Sequence, residues 1–211
     1  MTNKNFNNKK INNNGFNFVD LGLPSGTLWA SCNVGASKPS DSGFYFQWGD
    51  VQGYKAEQVG EGEGKKAFTW TDYKFNIDGD ASKFNKYTTP EEALELEDDA
   101  ANANMGGDWH MPTPKQIEAL IDNTTSTWTT QDGVNGRLFI SKKNGKSIFI
   151  PAAGFASGGS LNLVGLEADV WSFTLDTYDV YFGRYLYFVS GNIYFFNGYR
   201  YCGFSVRGVI G

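Results

Sequence analysis

The stretch "DVYFGRYLYFVSGNIYFFNGYRYCGF", Asp179 to Phe204, holds eleven aromatic residues in twenty-six positions and contains no Lys, Glu, Gln or Met. Tyr185, Tyr187 and Val189 alternate along it with Leu186 and Phe188. In a strand, successive side chains point to opposite faces, so one set fits a core and the other displays two tyrosines. An ordinary buried strand runs in Val, Ile and Leu or alternates apolar with polar. Here Tyr and Phe are interleaved with Gly, Asn and Ser, a composition typical of binding surfaces: Tyr offers a large rigid face at low entropic cost and one hydrogen-bonding tip.

Working outward, the same strand-rich pattern fills the region after Ser126. "STWTTQ", "GRLFISKK" and "KSIFIPAAG" read as strands, and Asn144-Gly145 between the last two is a strong hairpin signal. "TLWASCNV" and "GFYFQWGD" read as strands near the start of the folded part. Two helices are expected between these blocks. "TTPEEALELEDDAANANMGG" is read as partly helical, with Pro90 near its start. In "MPTPKQIEALIDNT", Thr113 caps, Pro114 takes the first helical position and Gln116 completes a capping box, with Ile117, Leu120 and Ile121 on one face. Strands, then helices, then many strands predict an α+β chain. Residues 1–16 are expected as a flexible N-terminal arm, 17–211 as one domain, 53–90 as a surface-loop insertion and 168–204 as a variable ligand-binding region.

Composition narrows the function. The chain has 211 residues and a formal charge of −5, with no basic cluster, which argues against nucleic acid or anionic lipid as partner. The N-terminal "MTNKNFNNKKINNNGF" has no apolar run of the kind a signal peptide or membrane span requires, so no signal peptide and no membrane insertion are expected. Cys32 and Cys202 make neither a disulfide framework nor a zinc spacing, and the single histidine, His110, builds no metal site alone. Asp78, Asp80, Asp98 and Asp99 are residue types that bind a hard cation, but acidic surface loops are usually solvated, and neither metal nor cofactor is expected.

Seven pieces in order, "FVDLGLPSGTLWASCNVGAS", "YFQWGD", "EDDAANANMGGDWHMPTPKQIEALI", "IFIPAAG", "VWSFTL", "LYFVSGNI" and "GFSVRG", resemble the major paralogous domain (FISUMP-type) common in anaerobic gut bacteria and their phages. The resemblance covers about Phe16 to Val209. It departs from the family's pattern at His110, where Arg is usual, and at Gly208, where Pro is usual. The family resembles the C-type lectin fold shared with formylglycine-generating enzymes. The resemblance thus implies a C-type lectin-like fold with short twisted antiparallel strands, one or two helices and long loops, and with "TLWASCNV" lying beside "GFSVRGV". Formylglycine-generating enzymes use late cysteines, but Cys202 has no second cysteine nearby. His110 falls in a family structural motif, and the motifs of calcium-dependent sugar binding are missing, so the expectation is a protein that is not an enzyme.

Members of this fold with an aromatic, Asn-rich C-terminus include the variable proteins of diversity-generating retroelements. There, error-prone copying of template adenines turns Asn codons into NNY codons, which never encode Lys, Glu, Gln, Met or Trp. Lys, Glu, Gln and Met occur 31 times in the first 167 residues and not at all in the last 44, where the same rate gives about eight. The one Trp there, Trp171, lies in the fixed "WS" motif. Comparison with the family's usual C-terminal pattern marks the candidate ligand-binding positions as Val170, Phe173, Leu175, Tyr178, Val180, Tyr181, Phe182, Tyr185, Tyr187, Val189, Phe195, Phe196, Gly198, Tyr199, Tyr201 and Cys202. The scaffold positions are Trp171, Ser172, Leu186, Phe188, Gly191, Asn192, Gly203, Phe204, Val206 and Arg207. The expected function is a receptor-binding adhesin displayed on a phage particle. Such a protein is made in the cytoplasm and becomes virion-associated. Its partner is a bacterial cell-surface protein or glycan, it meets other virion proteins through the N-terminal arm, and homo-oligomers are compatible with it. The alternative is a structural or assembly protein of the particle, or a bacterial surface adhesin on the same scaffold, with the aromatics buried between subunits.

Overall fold

The computed structural model describes residues 11–211. It corrects the expected α+β class. The structure is 38% strand and 11% helix, with five small antiparallel sheets and two short α-helices among the described residues, which is a β-rich fold. The helices are too short to form a layer of their own, so the strand–helix–strand order of the sequence does not translate into segregated α and β parts.

In chain order, β1 (Phe18–Asp20) and β2 (Leu28–Ala30) come first, then a hairpin of β3 (Asn76–Ile77) and β4 (Asp80–Phe84). The helices follow: α1 (Ala100–Met105) and α2 (Pro114–Asn123). A meander of β5 (Thr124–Gln131), β6 (Val134–Ser141) and β7 (Ser147–Pro151) leads to a small hairpin of β8 (Phe155–Ser157) and β9 (Ser160–Asn162). The last sheet is β10 (Glu167–Leu175), β11 (Phe182–Val189) and β12 (Ile193–Tyr199), before β13 (Val209–Ile210) returns to β2. The two ends of the domain therefore meet: β13 pairs antiparallel with β2, and Val34 N–H donates to the Val206 carbonyl at 2.8 Å.

Helix α2 forms where its signals lie. Thr113 Oγ1 accepts from Gln116 N–H, Gln116 Oε1 accepts from Thr113 N–H, and Pro114 opens the helix. It stops at Thr124, whose backbone is already extended, and the β-branched run that follows becomes β5. Its Ile117 and Leu120 are fully buried against Phe139, Ile150, Val170, Leu186 and Phe188.

Other expectations change. The first helical segment is shorter than expected: Pro90 starts no helix, and α1 begins at Ala100 behind its cap Asp99. "GFYFQWGD" forms only isolated bridges, with Tyr45, Phe46 and Trp48 all buried instead of alternating. Most of the segment 53–90 is exposed or half-buried, but its Phe68, Tyr73, Phe75 and Tyr87 are buried in the core. Their irregular spacing gives no period from which burial can be read. Residues 1–10 of the expected arm lie outside the described residues. Its next residues are tied down: Asp108 N–H donates to the Asn12 carbonyl, Trp109 Nε1 to that of Asn13, and Asn14 Nδ2 to that of Met105.

Trp171 joins β10 to the larger core. Its ring stacks on Phe204 at 4.0 Å, its Nε1 donates to the Phe46 carbonyl at 2.7 Å, and the neighbouring Ser172 carbonyl accepts from Trp48 Nε1. Trp171→Ala is expected to cost about 3–5 kcal/mol of stability, whereas Tyr178→Ala, at a residue 91% exposed, is expected to change it by no more than about 0.5 kcal/mol. Denaturant unfolding of the two variants checks this; equal losses would contradict the division into core and display.

Candidate functional site

The β10–β12 sheet has two unlike faces, set by register. Val170 lies opposite Leu186, which lies opposite Phe195; Ala168 lies opposite Phe188, which lies opposite Ile193. That face is seated on α2 and the β5–β7 sheet. On the other face, Trp171, Tyr185 and Phe196 form one cross-strand row, and Asp169, Tyr187 and Tyr194 form the next. The expected alternation of Leu186 and Phe188 against Tyr185 and Tyr187 is present, but the tyrosine face is only half open. Phe204 packs on Tyr185 at 4.7 Å, leaving it 7% exposed and so buried, not displayed. Beyond that cover Tyr187 is half-buried, and Tyr194 and Phe196 are 50% and 58% exposed.

These four rings line a groove of about 290 Å³. Tyr187 and Tyr194 lie side by side at 6.2 Å with nearly parallel planes, 20° apart. Tyr185 stands perpendicular to its neighbours, at 87° to Tyr187 and 84° to Phe196. A second aromatic group forms at the far end of β12. There Phe182 meets Tyr199 at 4.7 Å, Tyr199 stacks on Tyr201 at 5.5 Å, and Trp70 lies against Tyr201 at 4.8 Å. Tyr181 contacts Phe84 nearby. Between Tyr199 and Tyr201, Arg200 points inward and is fully buried. It donates to the Tyr73 hydroxyl and to the carbonyls of Tyr87, Val180 and Lys86.

The remaining candidate positions are scattered. Tyr178 stands in solvent on the β10–β11 connection, where the Asp176 carboxylate accepts from Tyr178 N–H. Phe173 lies edge-on to His110, Val180 packs on the core, Phe195 lies under the Arg184 guanidinium, and Val189 is half-buried. Val170, Leu175 and Cys202 are core residues, not display positions. Gly198 has no room to vary, since a Cβ there would lie 2.7 Å from the Phe204 ring. Sequence reasoning missed Tyr194 and Trp70. The Tyr194/Phe196 alternation along β12 carries a signal for the first; Trp70 comes from a segment read as a loop.

Two carboxyls sit on the open face beside the tyrosines. Asp169 is 2% exposed and its Oδ2 has no hydrogen-bond partner. Burial, and then the charge of Glu167, pushes its pKa up to about 8. Burial also raises Glu167, which accepts a hydrogen bond from the Tyr187 hydroxyl at 3.3 Å. The alternation of Glu167 and Asp169 with Ala168 and Val170 places them on the tyrosine side, a signal left unused in the sequence.

The other reactive residue types have structural partners. Burial pushes the Cys202 thiol up to about 12, unsuited to a nucleophile, and both cysteines are free. His110 Nδ1 and Nε2 each face a backbone carbonyl, of Met111 and Gly211, while its own backbone bridges to Val209. Asp99 caps α1 and accepts from Met111 N–H. Asp78 occupies a left-handed turn, and Asp80 accepts from Ser82 and pairs with Lys83. Glu95, Glu97 and Asp98 converge, but Lys86 Nζ lies among them at 2.5, 3.2 and 2.5 Å. Burial raises the Asp98 pKa, but hydrogen bonds from Lys74, Lys86 and Tyr87 outweigh it and hold the carboxyl below its ordinary range.

Compared with family models, with curated proteins and with solved structures, the chain matches none. Among the described residues no helix is long and apolar enough to cross a membrane.

Between its ordinary pKa of 3.8 and its folded value of about 8, Asp169 holds a proton in the folded protein that the unfolded chain has released. Its contribution to stability is therefore complete at acid pH and is lost as pH rises through that window. Asp169→Asn is expected to remove this slope, so that the variant gains on the parent between about pH 4 and 8. Urea unfolding across the range checks it; an unchanged slope would show that Asp169 is ionised in the fold.

Proposed function

We propose that this protein is a ligand-binding protein whose open β10–β12 face is its binding surface, and that it serves as a receptor-binding adhesin on a phage particle. The observation that carries the reading is the exposed pair Tyr194 and Phe196 beside Tyr187, held on a strand pair whose opposite face is buried in the core. Exposed aromatic clusters are a solubility hazard unless they serve recognition. Rigid Tyr and Phe on a regular sheet form an anchor at low entropic cost. The ordered motifs resembling the major paralogous domain, and the absence of Lys, Glu, Gln and Met after Glu167, support diversification of this face by a retroelement. Positions free to vary on this reading are those in solvent or half-buried, Tyr178, Tyr187, Phe196, Tyr199 and Tyr201 among them. Cys202, Val170, Leu175 and Gly198 belong to the support.

The partner is a bacterial cell-surface protein or glycan, and the protein is not an enzyme. The buried Cys202 thiol and the structural engagement of His110 support the second point.

Replacing Tyr187, Tyr194 and Phe196 together by Ser is expected to leave the melting temperature within a few degrees of the parent's and to reduce adsorption to the host cell at least tenfold, since interface energy concentrates in a few aromatic anchors. Light scattering run alongside distinguishes the alternative. Undiminished adsorption with a change in oligomeric state would assign the face to a subunit interface and end the adhesin reading.

A further inference from the structure

We propose that the groove above Tyr185 takes a quaternary ammonium group on an uncharged stem, the head of a trimethylated lysine side chain on a partner protein. The inference rests on the reading of this face as the binding surface and names the chemistry that surface selects.

The groove is built of rings. Tyr187, Tyr194 and Phe196 flank it and Tyr185 closes its base, with neighbouring ring centroids 6.1–6.3 Å apart. Its volume of about 290 Å³ suits a compact head group. Ring faces carry negative quadrupole potential and attract a cation. The carboxyls of Glu167 and Asp169 stand on the adjacent strand, on the same face, directly across from Val189 and Tyr187. The Tyr187 hydroxyl donates to Glu167, which draws electron density into that ring, and the Tyr185 hydroxyl lies beside Asp169. Among the described residues no lysine or arginine pairs with either carboxylate. Below about pH 8 Asp169 keeps its proton, so the negative charge behind the aromatic walls rests on Glu167, which lacks a counter-cation.

Chemistry separates the candidate cations. A primary ammonium brings three donors that need acceptors once dehydrated. The Asp169 Oδ2 atom that lacks a partner is buried, so the groove itself offers little beyond tyrosine hydroxyls. A sugar ring has the same difficulty with its hydroxyls. A quaternary ammonium has no donor to satisfy and asks only for negative potential. A phosphocholine head adds an anion that Glu167 and the net charge of −5 oppose, which favours the lysine stem.

The test titrates the full chain with Nα-acetyl-Nε-trimethyl-lysine amide, its unmethylated counterpart, its neutral tert-butyl isostere and phosphocholine, read by ring-current shifts of the probe's methyl protons. The trimethyl probe is expected to bind about fivefold or more tightly than the other three, the scale of a partly desolvated cation–π contact. Glu167→Gln is expected to weaken it about threefold with near-UV circular dichroism unchanged, and Tyr194→Ala to abolish the shift. Equal binding of the tert-butyl isostere would overturn charge selection while leaving an apolar binding face. Tighter binding of unmethylated lysine or of phosphocholine would overturn the assigned head group or stem. Binding of no probe would overturn the proposal, and the adsorption experiment would still decide the face.

Discussion

The guanidinium of Arg207 is fully buried and carries the closure of the domain. Its Nε donates to Asn33 Oδ1 at 2.8 Å, and its two terminal nitrogens donate to the carbonyls of Ala30 at 3.0 Å and Phe149 at 2.9 Å. One side chain thereby ties the end of β2, the loop after it and β7 to the last segment of the chain. Burial lowers its pKa to about 10, so it stays protonated at neutral pH. A buried cation without a carboxylate is costly unless its donors are satisfied, and here carbonyl dipoles and an amide oxygen satisfy them. Arg200 repeats the device seven residues earlier, with three carbonyls and the Tyr73 hydroxyl. In a chain with little helix and five small sheets, such multidentate anchors do work that long regular elements do elsewhere.

Those anchors separate stability from display. Arg200 turns inward while Tyr199 and Tyr201 stack outward on Trp70. Leu186 and Phe188 turn inward while Tyr187 and Tyr194 face the groove. Along each strand the residues that hold the fold and those that meet solvent are different side chains, so the latter can change without opening the core. Tyr185 marks the limit of the arrangement. It sits on the display side by register but under Phe204 by packing, and behaves as core.

What was legible in the sequence was local. The Thr113–Gln116 capping box, the Asn144–Gly145 hairpin and the alternation through Leu186 and Phe188 each express a rule of one or two turns or strands, and each recurs in the structure. What was not legible depends on chain brought from afar. Phe204 covers Tyr185 and denies Gly198 a side chain, and Phe46 and Trp48 frame Trp171, across separations that no periodicity reports. The aromatics between Phe68 and Tyr87 look like a loop because they obey no period, yet they fill the core and lend Trp70 to the surface. The α+β expectation failed for a related reason: helix signals mark where a helix starts, not whether it grows long enough to make a layer.

Asp169 shows how far a perturbed group can be taken as a sign of function. A carboxyl pushed up to about 8 is the kind of shift that active sites use. General acid–base chemistry also requires that the group reach the reacting atom, and the free oxygen of Asp169 is shut off from solvent. Its effect is felt through its neighbours: it carries a proton at neutral pH beside Glu167 and becomes negative charge behind Tyr187 and against Tyr185 only as pH rises past about 8. Keeping two carboxyls there costs stability at neutral pH, a cost that an amide or an apolar residue at the same position would avoid.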